Sequence, residues 1–226
     1  DVYPTATTRL ADLILPSGEV RYVATGIQVT GWPRPDKPFA PELGTSGFVT
    51  NGQTVEQRDG AGYLGTLYGT FEGDSRYSLV LAESADGYAW RIRSVIAGSD
   101  CALEGQEGPC EAALCRLADG RLMCVFRNAS FVPYGQTWSD DDGKTWSKPI
   151  AMTAQSVEPS LQVLPNGVAA LAGGRSGIFV WLNADGRGTD WQAVDIVAHH
   201  NACRPRNDRI NPDSTKAWIS AEEMIR

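Results

Sequence analysis

The feature that most restricts the fold of this chain is the stretch SDDDGKTW at 139–146, of the form Ser-x-Asp-x-Gly-x-Thr-Trp, with two degenerate copies flanking it. This is the Asp-box signature, and its chemistry is that of a closed hairpin turn. Asp141 can accept hydrogen bonds from the N–H groups of its own turn, Gly143 can take a positive φ, and Thr145 and Trp146 return the chain to a strand whose indole is buried. The flanking copies are SADGYAW at 84–90, one residue shorter, and NADGRGTDW at 183–191, one residue longer. Three such turns, each ending in Trp, make a structural repeat, and the box itself is a device of the fold.

A second periodicity runs through the same region. Glu111, Leu114, Leu117, Asp119 and Gly120 recur as Glu158, Leu161, Leu164, Asn166 and Gly167 at a constant offset of 47. A repeat of that size carrying four short strands is the signature of a β-propeller blade. The expectation is therefore an all-β chain, a single partial propeller over 1–226 with about four blades' worth of sequence. Blade-like repeats are expected at about 50–105, 106–155 and 156–201, and an irregular tail at 202–226 with a helical look from Ala217. Composition agrees, since 24 Gly, 13 Pro and 7 Trp in 226 residues suit many short strands and tight turns.

Along the chain, Val20 to Val29 alternates as two strands, and the Pro-broken loop at 31–38 cannot be an interior strand. Residues 62–71 and 77–83 pair across the polar turn at 72–76, and Trp90 to Ile96 is the next strand. Hairpins are predicted around Asp119-Gly120 and Asn166-Gly167. Further strands should end near Trp138, start at Trp146, run from Ile178 to Leu182, and run from Trp191 to Val197.

Net charge and cysteines bound the partners. A formal charge of −7 argues against nucleic acid, and an anionic ligand would need a local cluster of Arg. No apolar run of 18 residues is present, so no membrane span is expected. The first residue is Asp1, which suggests a processed chain. The expected location is extracytoplasmic or secreted, with a cytoplasmic one as the alternative. Of five cysteines, Cys115 and Cys124 would face each other across a two-residue hairpin, either as a disulfide or as buried thiols. Cys101 and Cys110 could close a loop, leaving Cys203 odd. Asn128-Ala-Ser130 is a glycosylation sequon. His199 and His200, read as strand residues, would point to opposite faces and make a poor metal pair, so no metal or other cofactor is expected.

Two acid-to-Arg spacings carry the chemical signal: Glu111 precedes Arg127 by 16 residues and Glu158 precedes Arg175 by 17. At equivalent ends of adjacent blades these side chains could reach one central cleft. A guanidinium presents a planar fork that matches a carboxylate, so two Arg there could hold an anionic group on the axis. The alternative is that both Arg pair with carboxylates of the blades themselves.

With its Asp boxes, the LADGRLMCVFR hairpin, the GGRSG around Arg175 and the run WQAVDIVAHHN, the stretch from about 60 to 201 resembles the sialidases (neuraminidases) of the BNR-repeat type. That resemblance implies a six-bladed propeller that releases terminal sialic acids from glycoconjugates with retention. Three Arg would clamp the sugar carboxylate, a Tyr activated by Glu would be the nucleophile, and an Asp would be the general acid/base. Carried over, Glu111 is the activating Glu, Arg127 and Arg175 are clamp residues, and Asn201 belongs to the substrate-binding set. Asp74 and Glu72 are the candidates for the acid. An Arg-Ile-Pro stretch of the kind that holds the family's first Arg is absent, with Arg21 and Arg34 as the early candidates, and no Tyr follows Asn201. The partner implied is a sialylated glycan. A non-catalytic propeller binding glycans or proteins is a second reading, a structural Asp-box repeat with no sugar role is a third, favoured if Arg127 and Arg175 are far apart or buried in salt bridges, and strand edges left open would invite homo-oligomers.

Overall fold

The computed structural model describes residues 8–14, 17–26, 28–31, 49–173 and 177–212. A two-stranded antiparallel ribbon, β1 (Thr8–Ile14) and β2 (Val20–Gly26), comes first. Three larger sheets follow. In the first, β4 (Val49–Glu56), β5 (Tyr63–Gly69), β6 (Ser78–Ser84) and β7 (Ala89–Ala97) form an antiparallel meander. β3 (Gln28–Thr30) adds to β7 in parallel. The second contains β8 (Ala112–Arg116), β9 (Leu122–Phe126), β10 (Gly135–Ser139) and β11 (Ile150–Ala151). In the third are β12 (Ser160–Val163), β13 (Ala169–Gly173), β14 (Phe179–Asn183) and β15 (Gln192–Asp195). The inner strands lie together: β4 packs on β8, β8 packs on β12, and the Gln53 amide of β4 donates to the Leu161 carbonyl of β12. Among the described residues the sheets do not close into a barrel.

Burial explains why the middle sheet reads as continuous apolar runs. Leu114, Leu122, Cys124 and Phe126 face the first sheet and pack with Leu64, Leu79, Leu81 and Ile96. Ala113, Cys115, Met123 and Val125 face the third and pack with Leu161, Leu171, Tyr134 and Trp181. Successive strand residues point to opposite faces, so a strand covered on both sides needs apolar residues at every position. β12 and β15, by contrast, carry exposed residues.

The Asp boxes fold as their chemistry predicts. Asp141 accepts from Lys144 N (3.0 Å), Thr145 N (2.9 Å), Thr145 Oγ1 (2.7 Å) and Ser139 Oγ (2.8 Å), and Gly143 sits at φ 83°. Trp146 does not open a strand, however; the next paired residue is Ile150. Its indole Nε1 instead donates to Ser94 Oγ of β7 (3.0 Å), and Ser94 Oγ donates back to Gly143 O (2.6 Å). Trp191 similarly reaches Gln136 Oε1 of β10 (3.3 Å). These two boxes thus tie their own sheet to the preceding one.

Two expectations are corrected. The hairpin at 117–121 is not a two-residue loop. Leu117 N bonds Arg121 O (2.8 Å), and Gly120 takes φ 88°, which is a type I turn followed by a left-handed Gly. The odd loop length shifts the register by one, so Cys115 pairs with Met123 and Leu114 with Cys124. The two thiols then lie on opposite faces of the sheet, and all five cysteines are free. The second correction is that the chain beyond Asp195 is not strand. Ile196–Cys203 is a helix, α1, N-capped by Asp195, whose carboxylate accepts from Ala198 N (2.9 Å). His199 and His200 therefore sit on successive helical positions. The helical look assigned to the tail from Ala217 lies outside the described residues. Among the described residues no helix is long and apolar enough to cross a membrane.

Candidate functional site

Topology divides the chemistry between two ends of the sheets. All three Asp boxes join the third strand of a sheet to the fourth, and the Asp119-Gly120 hairpin turns at that same end. At the opposite end lie Glu111, just before β8, Arg127, just after β9, and Glu158, shortly before β12. Tyr68, near the end of β5, Tyr77, just before β6, and Tyr134, just before β10, lie there as well.

Arg127 is the centre of that end. Its Nη1 donates to Glu107 Oε1 (3.2 Å) and Ser130 Oγ (3.1 Å), and its Nη2 donates to Glu107 Oε2 (2.8 Å). Its Nε lies 2.9 Å from Glu111 Oε2, in an ion pair whose angle is too bent for a hydrogen bond. Glu111 Oε2 also accepts from Glu158 N (3.0 Å), and the backbone bond Arg127 N to Glu111 O (3.1 Å) extends the β8–β9 ladder to hold both residues in register. Burial alone would lower the Arg127 pKa. The neighbouring Cys110, Glu111 and Glu107 more than offset this and hold it above its usual range.

The loop carrying Glu107 is anchored from below. Tyr77 N donates to Glu107 O (2.8 Å) and Glu107 N to Asn128 O (3.1 Å). The Arg76 guanidinium gathers the carbonyls of Ser99 (3.1 Å), Cys101 (2.9 Å) and Gly105 (2.9 Å). Gly105 and Gly108 take positive φ, and a Cβ at Gly108 would meet Tyr77 O at 2.7 Å.

Three phenols border the cluster. Tyr68 and Tyr77 meet edge to face with centroids 5.2 Å apart. Burial, then the charges of Cys110 and Glu111, push the Tyr68 hydroxyl up to about 12, and burial likewise raises Tyr77. Tyr134 is fully buried, its hydroxyl donating to Val157 O (3.1 Å), and burial raises it too. Cys110, also buried, is pushed up to about 12, first by burial. Near neutral pH these phenols and this thiol are protonated donors and not anionic nucleophiles.

Of the residues singled out from sequence, Glu111 and Arg127 are brought into contact. Asp74 and Glu72 lie on the β5–β6 turn at the same end of the first sheet; Glu72 is exposed, and Asp74 accepts from Ser99 Oγ (2.7 Å). Arg175 lies outside the described residues. Asn201, on α1, brackets Ile210 with its amide, donating to the carbonyl (2.8 Å) and accepting from the N–H (2.8 Å). Asn128 is fully buried, so the sequon has no room for a glycan in the folded chain. Among the described residues no three His, Cys, Asp or Glu side chains gather into a metal-binding group. Sequence reasoning missed Glu107, Tyr68 and Tyr77. The repeat holds no hint of Glu107, because its counterpart at the offset of 47 is Ala154.

A chain of antiparallel meander sheets set around converging inner strands, with Asp boxes at one end and an acid–Arg cluster at the other, defines a propeller-like repeat protein. The family model described as BNR repeat-like domain matches residues 31–194, and the chain belongs to that family. A comparison with curated proteins finds no match. Among solved structures, a protein of unknown function from Dyadobacter fermentans aligns at TM-score 0.57 and 20% identity, covering 66% of this chain and 42% of the other. The α-L-arabinofuranosidase Arb93A of Fusarium graminearum aligns at 0.51 and 16%, covering 75% and 52%. Zg3597, a family 117 glycoside hydrolase of Zobellia galactanivorans, aligns at 0.51 and 12%, covering 71% and 59%. At such identities the likeness is one of fold, shared with glycoside hydrolases. The chain spans roughly half the length of the structures it matches.

Proposed function

We propose that this chain belongs to a glycoside hydrolase whose sugar-binding end is the mouth where Glu111, Glu107 and Arg127 meet Tyr68 and Tyr77, and that its substrates are glycans ending in an acidic sugar, sialic acid foremost. The observation that carries the reading is the Glu111–Arg127 contact at one end of the paired strands β8 and β9, with phenolic donors beside it. A glycosidic bond is cleaved between positioned carboxyl groups, and a planar guanidinium orients a sugar carboxylate through two parallel bonds. Glu111, held by both Arg127 and Glu158 N, has the fixed orientation that a base or a nucleophile-orienting group needs. The six-bladed ring of the sialidases is part of this proposal, with three meander sheets around converging inner strands in its favour.

The test is release of fluorophore from aryl sialosides and aryl arabinosides by the purified protein and by Glu111→Gln. Turnover reduced about 100-fold or more in the variant, with unfolding unchanged, is expected for a group acting in proton transfer or alignment. A well-folded protein that turns over none of these glycosides would end the hydrolase reading. A second reading is a propeller that binds such glycans without cleaving them, with which the burial that raises the Tyr68 phenol is in keeping. Sialoside binding without turnover, abolished in Arg127→Ala, would establish that alternative.

A further inference from the structure

We propose that Glu107 is an internal occupant of the Arg127 fork, a specificity residue that an acidic sugar must displace before its own carboxylate can bind. The inference rests on the sugar-binding role assigned to this end of the sheets. Arg127 gives both terminal nitrogens to the two oxygens of Glu107, at 2.8 and 3.2 Å, which is the pairing that a guanidinium makes with any carboxylate, including one on a ligand. While Glu107 is in place, the cluster of one guanidinium and two carboxylates is net negative, and a second anion meets no free fork.

The two carboxylates differ in what holds them. The Glu111 side chain is 15% exposed and is pinned by both Arg127 and Glu158 N, whereas that of Glu107 is 31% exposed. The backbone of Glu107 is fixed by Tyr77 and Asn128, and the loop before it by Arg76, so the loop need not move. Rotation about the Glu107 side-chain bonds alone would turn its carboxylate into solvent and release both terminal nitrogens of Arg127, with Nη1 keeping its bond to Ser130 Oγ. Glu111 stays behind on Nε and keeps Arg127 oriented. Glu107 thereby sets a threshold: neutral sugars bind without disturbing the pair, and acidic sugars bind only by competing with it.

The shared ligand chemistry is a sugar carboxylate, which sialic and uronic acids both carry, so the experiment has an arm for each. Binding of N-acetylneuraminic acid, glucuronic acid and methyl glucoside is measured by calorimetric titration for the wild type, Glu107→Gln and Glu107→Ala, with thermal melts confirming that each variant folds. Loss of a partly exposed ion pair is expected to tighten binding of one or both acids roughly three- to tenfold and to leave methyl glucoside unchanged. Adding Arg127→Lys to Glu107→Gln should cancel the gain, because the ammonium has no fork. A gain for one acid only supports the proposal and names the source of the carboxylate. Unchanged affinity for both acids in both variants, or equal gains for acidic and neutral sugars, overturns it. Glycoside turnover without any gain on removing Glu107 refutes the occupant while sparing the hydrolase reading. The gain without turnover upholds the occupant and refutes hydrolysis.

Discussion

Replacing Asp141 in the central Asp box is the sharpest test of how the sheets are held. Its carboxylate collects four hydrogen bonds between 2.7 and 3.0 Å, two of them from backbone N–H groups. A neutral hydrogen bond contributes about 0.5–1.5 kcal/mol net and one to a charged acceptor roughly twice that. The side chain is only half-buried, so water replaces part of what is lost, and Asp141→Ala should cost about 2–4 kcal/mol. In a chain of this length that corresponds to a fall in Tm of roughly 4–15 °C. Asp141→Asn, which keeps the shape and removes the charge, should cost about half as much. The pH dependence has a definite sign. Hydrogen bonds from Thr145, with Ser139 and Lys144, hold the carboxyl well below the usual carboxylate range. A depressed folded-state pKa means that the stabilisation is present above the unfolded value of about 3.9 and is lost as pH falls through the folded-state value. Urea unfolding followed by tryptophan fluorescence should therefore show a constant gap between wild type and Asp141→Asn down to about pH 5, narrowing below about pH 4. No gap at neutral pH, or a gap that ignores pH, would refute the account of the box as a charge-assisted turn.

Other outcomes follow from burial and backbone geometry. Leu122→Ala, at a fully buried position between the first two sheets, should cost about 2–5 kcal/mol in urea unfolding, and a cost under about 1 would mean that these sheets do not share that core. Gly143→Ala combines φ 83° with a Cβ only 2.2 Å from Leu81 Cδ2, whereas Gly73→Ala has φ 79° and open space. The first should destabilise by at least about 1 kcal/mol more than the second in thermal melts, and equal costs would remove the clash as the cause. Five thiols should react with a chromogenic disulfide reagent after denaturation without reductant, but only exposed Cys203 and half-buried Cys101 quickly in the native protein. Burial protects the rest and pushes Cys110 and Cys115 up to about 12; recovering three thiols from the denatured chain would instead reveal a disulfide.

The parts of the fold that were legible in sequence are those written in local chemistry. The Asp boxes are closed by bonds within seven to nine residues, and the hairpins at Asp119-Gly120 and Asn166-Gly167 use the same left-handed Gly at equivalent places. Register was not legible, because one residue more or less in the 117–121 turn reverses which face Cys115 takes, and Asp119-Gly120 suits both loops. Nor was α1, since the short run Ile196 to His200 has no period that separates helix from strand; Asp195 as N-cap and the end of pairing with β14 decide it.

The candidate site divides along the same line. By itself, the sequence determined that Glu111 and Arg127 would stand at the same end of one hairpin; the two-residue loop expected there would have set Glu111 opposite Asn128, and only the observed register brings Glu111 and Arg127 together. Only the tertiary structure decided what meets them there. Glu107 arrives on a loop between sheets with no counterpart in the repeat, Glu158 N comes from the third sheet, and Tyr68 and Tyr77 from the first. Contacts within a hairpin are set by residues a few positions apart, whereas contacts between sheets depend on how whole cores pack, and no short stretch of sequence encodes that.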